Sequence, residues 1–224
     1  EKFEINEETI KKFHHEIYMN TDITGGNWKR QDNTIEERLP DGRWISRFVP
    51  VSARETPFHM KELCARYNRL WDERRISPLL IIPAFVLDFL CIHPFTDGNG
   101  RVSRLLTVLM LHQAHYEVGR YVSLERLIEQ SKETYYEALQ MSSEGWHEGR
   151  HRLKPWWEYF LGILIRAYRE FEERVGVVTK ARGAKTAIIE QAIVRLPLTF
   201  SISDLERACP SISRDMIRVV LNRL

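Results

Sequence analysis

The chain has 224 residues, 43% apolar and 29% charged, and its 33 Lys and Arg against 31 Asp and Glu leave a formal net charge of +2. That length holds one sizeable domain plus a small one, and so balanced a charge excludes bulk electrostatic attraction as the basis of a nucleic-acid or membrane role. The most apolar run, SPLLIIPAFVLDFLCI, is interrupted by Pro83 and Asp88, falls short of a membrane span, and no secretory signal is legible.

In chain order, NEETIKKFHHEIYM predicts a first helix, with Asn6 as N-cap, acids in the first turn and Ile10, Phe13 and Ile17 on one side. The stretch from Asn20 to Ser52 is irregular and alone has strand character; Thr34-Ile35 and RWISRFV flank Pro40-Asp41-Gly42, which predicts a small β-hairpin. TPFHMKELCARYNRLWDERR is helical, aligning Met60, Leu63, Tyr67 and Leu70. A helix, turn and helix follow around CIHPFTDGNGRVSRLLTVLMLH at 91–112, then ERLIEQSKETYYEALQMSSE, then LKPWWEYFLGILIRAYREFEERV with Pro155 near its start. The fold class is therefore mainly α with one hairpin.

The last segment is different in kind. VTKARGAKTAIIEQAIVRLP leads into LTFSISDLERACPSISRDMIRVVLNRL, where Ser201/Ser203 and Ser211/Ser213 offer caps for two short helices, the first ending near Pro210. Helix, short helix, tight turn and third helix form a winged-helix-like helix-turn-helix cut off before its wing. The expected division is a catalytic domain at 1–175, a linker at 176–183 and the helix-turn-helix segment at 184–224. Cys64, Cys91 and Cys209 have no metal-ligand spacing and suit a reducing cytoplasm. A first residue other than Met, and a last one, Leu224, inside a domain pattern, point to a piece of a longer protein.

The chemistry concentrates in HPFTDGNGRVSR, residues 93–104. Gly98 and Gly100 let the backbone turn with N–H groups outward, and the next helix adds its free amides and the positive end of its dipole. These favour an anion, most simply a phosphate. Arg101 and Arg104, three apart on the helix, lean over the same side of the turn; two arginines plus a nest suit a di- or triphosphate. Asp97 beside such a turn needs a cation between itself and the anion, so Mg²⁺ is the natural inference. His93 at the rim offers a neutral imidazole that accepts a proton from a hydroxyl. Taken singly, a histidine before proline, a Gly-Asn-Gly turn and two surface arginines are each more often plain structure. Joined in twelve residues ahead of the apolar helix LLTVLMLH, they describe a phosphoryl- or nucleotidyl-transfer site on a rigid support, with Phe95 as a core anchor. No lysine-bearing Walker motif is present.

This stretch resembles, position for position, the signature His-x-Phe-x-(Asp/Glu)-Gly-Asn-Gly-Arg-x-x-Arg of Fic-domain proteins, helical enzymes that move AMP from ATP to a hydroxyl of a target protein. The resemblance covers roughly residues 8–175. GGNWKR at 25–30 is similar to the family's Gly-x-aromatic-Arg element, with Lys29 out of pattern, and ETYYEAL is similar to its double-tyrosine helix. The resemblance implies His93 as general base and Asp97 as ligand of Mg²⁺. It implies Gly98, Asn99 and Gly100 as anion hole, Arg101 at the β-phosphate, Arg104 at the γ-phosphate, and the intervening Val102 and Ser103 in the nucleotide site. It further implies Ile45, Ser46, Arg47 and Phe48 as the flap that pairs with the target's backbone, Tyr135 at adenine or ribose, and Ser143 as a polar nucleotide contact. Without the resemblance, Tyr135 and Tyr136 read as core aromatics.

ATP and Mg²⁺ are thus the expected cofactors and a protein the expected partner, with self-modification and a homodimer both open. The family's inhibitory pattern, Ser/Thr-x-x-x-Glu-Gly/Asn, is not met before Glu36, and SSEGWHEG at 142–149 fails its register. That helix is expected to be lost upstream or supplied by a partner. Two alternatives stay open: a DNA-binding regulator using Arg207, Arg214, Arg218 and Arg223, against which the sparse basic charge argues, and a Fic-fold enzyme moving or removing another phosphate-containing group. An intact Arg104 favours ATP among donors.

Overall fold

The computed structural model describes residues 4–38, 41–180, 184–196 and 199–222. Pro40 of the expected turn, residues 181–183 of the expected linker and Arg223 lie outside the described residues. Among the described residues the fold is mainly helical with one two-stranded sheet, as expected. The chain divides into two compact units, Glu1–Tyr168 and Arg169–Leu224.

The first unit begins with α1, Glu7–Tyr18, capped by the Asn6 side chain, which accepts from Thr9 N at 2.9 Å. Its buried face is Ile10, His14 and Tyr18. The sequence pattern favours Ile10, Phe13 and Ile17; two polar-tipped rings take the inner face because partners await them there. β1, Ile35–Arg38, pairs antiparallel with β2, Trp44–Phe48; Ile35 faces Phe48 while Glu36 faces Ser46, so the register skips Arg47.

α2, Thr56–Glu73, packs Met60, Leu63, Cys64 and Tyr67 inward. α3, Pro78–Ile92, is apolar nearly all round and buried along most of its length, with Ser77 capping it and Pro78 at its tolerated first position. α4, Asn99–Gln113, lies against α3 through Val102, Leu106, Met110 and Leu111. After a 3₁₀ turn at Glu117–Arg120 come α5, Leu124–Glu129, and α6, Lys132–Ser143. α7, Lys154–Lys180, ties itself to the start of α3: Trp156 Nε1 donates to Pro83 O at 2.7 Å and Trp157 Nε1 to Leu80 O at 3.1 Å. Its helical pattern runs on through the first residues of the stretch that reads as a linker.

In the second unit α8, Ala184–Arg195, α9, Ile202–Ala208, and α10, Arg214–Leu221, share a core of Ile189, Leu205, Cys209, Ile212, Ile217 and Val220. Ser201 and Asp204 form a reciprocal capping box on α9, and Ser213 precedes α10. Among the described residues no helix is long and apolar enough to cross a membrane.

Candidate active site

α3 ends because His93 reverses the chain: its backbone sits in the left-handed region at φ 51° and ψ 60°, which a residue with a Cβ rarely adopts. The reversal drives Phe95 into the core, stacked on the His14 ring at 3.7 Å and touching Trp28 at 5.0 Å. Phe95 is the anchor its sequence position suggests. Asn99 then clamps the loop: its Oδ1 accepts from Phe95 N at 2.9 Å and its Nδ2 donates to Phe95 O at 2.7 Å, with the side chain 2% exposed.

Between these clamps lies the turn. Gly98 has φ 81°, and a Cβ there would lie 2.9 Å from Tyr18 Cε2, so both backbone angle and space demand glycine. The first helical bond of α4 runs from Val102 N to Gly98 O at 2.9 Å, so the amides of Asn99, Gly100 and Arg101 precede the helix's own ladder. Gly98 N differs: it donates to Asp97 Oδ1 at 2.6 Å. The donors an anion can use thus begin at Asn99, one residue later than the signature suggests.

His93 opens the loop that leads into this turn. Its Nδ1 lies 3.2 Å from Leu90 O. A carbonyl only accepts, so Nδ1 carries the proton in that bond and Nε2 keeps the lone pair. Burial pushes the imidazole pKa down to about 4, and the nearby Lys29 ammonium acts in the same direction. The ring is therefore neutral at ordinary pH and able to take a proton.

Asp97 is held as an anion. Its Oδ2 accepts from Tyr18 OH at 2.7 Å and from Arg101 Nη2 at 3.1 Å, and the Tyr18 and Gly98 bonds hold its carboxyl below the usual range. The same Tyr18 hydroxyl accepts from Arg101, whose guanidinium also lies 4.6 Å over the Tyr18 ring. Asp97 nonetheless stays 70% exposed, with acceptor capacity to spare on Oδ1. Among the described residues no cluster of three or more His, Cys, Asp or Glu could cage a metal. A lone ionised carboxylate next to a turn of free N–H donors suits Mg²⁺, which keeps waters and shares ligands with substrate phosphates.

Arg104 reaches back over the turn, its Nη1 3.2 Å from where a Gly100 Cβ would stand. It is engaged: Nε and Nη2 donate to Glu125 Oε1 at 3.0 and 2.8 Å. The other expected residues scatter. Val102 and Ser103 are buried; the Ser103 hydroxyl donates to Gly100 O at 2.9 Å, and Ser103 lines a hollow shared with Arg104. Tyr135 is a core aromatic, packed edge-on against Trp156 at 5.5 Å and Tyr159 at 5.7 Å, although it lines an apolar hollow that Arg104 also lines. Tyr136 is the member of the pair that faces out, 57% exposed. Ser143 donates to Gln140 O within its own helix, at 3.2 Å. Ile45, Ser46 and Arg47 are exposed on β2, with Phe48 half-buried beside His147.

Several residues of the site escape sequence reasoning. His14 accepts from Gly26 N at Nδ1, 2.8 Å, which leaves Nε2 to donate to Asp97 O, 3.0 Å, while Tyr18 holds the Asp97 side chain. Their spacing of four on α1 is the only local trace. Lys29, 3% exposed, donates from Nζ to Ile92 O at 3.2 Å and to Asn33 Oδ1 at 2.8 Å, and from its backbone to Pro94 O at 2.8 Å. Burial lowers its pKa to about 8. Lys29 thus pins both sides of His93, Ile92 through its ammonium and Pro94 through its backbone amide.

Residues 4–111 match the family model described as Fic/DOC family. Among curated proteins, the protein adenylyltransferase Fic of Drosophila erecta is 29% identical over 149 residues, 65% of this chain and 26% of that protein. The Drosophila melanogaster protein of the same name is 28% identical over the same shares. The chain spans about a quarter of the length of these curated relatives. Among solved structures, a Fic-domain-containing signaling protein of Bacteroides thetaiotaomicron is 25% identical with TM-score 0.57, over 73% of this chain and 60% of that one. A Fic family protein of Desulfovibrio desulfuricans matches in fold with TM-score 0.61 at 24% identity, over 95% of this chain and 59% of that one.

Proposed function

Residues 4–111 being a domain of the Fic/DOC family, we propose that this chain is a nucleotidyltransferase that moves AMP from ATP onto a Tyr, Thr or Ser hydroxyl of a protein, itself included. The observation that carries the reading is the hydrogen bond of His93: its Nδ1 is committed to Leu90 O, so Nε2 keeps its lone pair, in the loop that ends in the N–H donors of Asn99, Gly100 and Arg101. In the proposed reaction the acceptor oxygen attacks the α-phosphorus and its proton passes to His93 Nε2. The bond from the α-phosphorus to the bridging oxygen breaks, and pyrophosphate leaves with the electron pair. Asn99, Gly100 and Arg101 amides and the two guanidinium groups meet the charge on the departing group, which such fixed dipoles stabilise at no reorganisation cost. Asp97 would hold Mg²⁺, which supplies charge neutralisation across the phosphates when bound. Catalysis is assigned to residues 1–175, and the free, buried Cys64, Cys91 and Cys209 suit the cytoplasm.

Glu125 enters this reading as a competitor. A γ-phosphate that takes Arg104 must displace the Glu125 carboxylate, which is 66% exposed and so leaves at small cost. Glu125→Gln is expected to lower the KM for ATP about two- to fivefold, the ratio given by an exposed ion pair of 0.5–1 kcal/mol. An unchanged KM would show that Arg104 does not meet the nucleotide. The reading as a whole is tested by incubating the chain with ATP carrying ³²P at the α- or the γ-position: label retained on protein from the α-position alone is expected. Retention of γ-label would make it a phosphotransferase instead.

The DNA-binding alternative gains no support. Arg207 lies 2.8 Å from Asp204, Arg214 3.6 Å from Glu206 and Arg218 4.0 Å from Asp215, so acids offset the arginines on which a basic stripe would depend.

A further inference from the structure

A two-stranded hairpin is at best marginal by itself in water, and β2 buries almost nothing: of its five residues only Phe48 is less than exposed. Something else must fix where β1 and β2 stand. The contacts that do so come from the loop after α6. Gly145 and Gly149, at φ 71° and 66°, bracket it, and bonds from Gly149 N to Trp146 O at 3.1 Å and from Arg150 N to Gly145 O at 2.9 Å close it into a tight turn.

That turn presents two rings. Trp146 is fixed to the buried helix, its Nε1 donating to Asp88 Oδ1 at 2.7 Å while Arg66 holds the other carboxylate oxygen at 2.5 Å. Asp88, the lone acid of α3, so acquires a purpose. Trp146 meets Phe48 edge-on at 6.4 Å. His147 lies flat on Phe48, 5.5 Å between centroids and 9° between planes, and its Nε2 donates to Val49 O at 2.8 Å. The skipped register at Arg47 aims that side chain at the same side, where it donates to Gln140 on α6.

We infer that Trp146 and His147 are positioning residues that seat the β1–β2 hairpin, and through it the protein acceptor, over the turn at 97–101. The acceptor half rests on the transfer reading above; the seat itself does not. Contact with the nucleotide is not part of their role, so losing them separates transfer to protein from cleavage of ATP by water.

Two readouts on His147→Ala and on Trp146→Phe, which keeps a ring but loses the Asp88 bond, decide the matter. Amide hydrogen exchange in free protein is expected to speed up about tenfold at 44–49 in His147→Ala, and less in Trp146→Phe, with α3 and α4 amides unchanged. Unchanged exchange at 44–49 overturns the seat. Self-labelling from α-³²P-ATP is expected to fall about tenfold in His147→Ala while release of free AMP and pyrophosphate stays within about twofold. Both falling together, or neither, overturns the acceptor half. A wild type that never labels protein defeats the transfer reading instead, and the exchange result still judges the seat.

Discussion

Replacing His93 by alanine is expected to cut transfer of AMP to protein by about 10²–10⁴-fold, the usual worth of a positioned general base, with ATP affinity within about twofold of wild type. The split follows from the geometry. Nε2 is the ring's free acceptor, whereas the donors suited to phosphate are the amides of Asn99, Gly100 and Arg101 and the two arginines. Isothermal titration with ATP and Mg²⁺, set beside initial rates of labelling, separates the two. Equal rates in variant and wild type would remove His93 from the chemistry.

The same residue fixes the pH response. The working form is the neutral ring, so activity disappears as pH falls through the folded pKa and stays level above it. Because burial holds that pKa near about 4 in the free protein, kcat/KM is expected to show no inflection from His93 between about pH 6 and 8. An acid limb centred at the ordinary histidine value, about 6.5, would mean that the ring is solvated and that the bond to Leu90 is not made.

The second large effect is expected from Gly98→Ala. The added methyl meets Tyr18 Cε2 at 2.9 Å, and the backbone at φ 81° penalises any L side chain by about 1–2 kcal/mol. Tyr18 holds Asp97 and Arg101 together, so relief of the clash by moving Tyr18 loosens both. ATP binding is expected to weaken at least about tenfold, and the thermal midpoint to fall by about 2–8 °C, at about 2–4 °C per kcal/mol for a chain of this size. Binding within twofold of wild type would show that the turn tolerates a Cβ and is not the anion site. Gly149→Ala is the fitting control: it too has positive φ, at 66°, but a Cβ there meets nothing within 4 Å.

How much of this was legible beforehand differs residue by residue. His93, Phe95, Asp97, Asn99 and Arg101 sit within nine positions, and the chemistry of a short loop and a helix start is local; hydrogen bonds such as Asn99 to Phe95 span only four residues. Alternation around a turn sufficed for the hairpin, and helical periodicity for the mainly α class. Periodicity misjudged α1, where His14 and Tyr18 face inward in preference to Phe13 and Ile17. It had no means of knowing that polar partners on the 93–98 loop would satisfy them. Resemblance drew Val102, Ser103 and Tyr135 toward the nucleotide; all three are buried, with Ser103 and Tyr135 lining the hollow that Arg104 also lines.

The sequence by itself determined the fold class and the shape of the turn at 93–101, because propensity, patterning and short-range hydrogen bonding act over a few residues. Tertiary structure alone decided which distant groups tune that turn: Tyr18 on Asp97, Lys29 under His93, Glu125 on Arg104, and Trp146 with His147 beneath the hairpin. Each joins residues more than twenty apart along the chain. Burial and charge at such contacts depend on which surfaces meet, and that is settled only when the helices have packed.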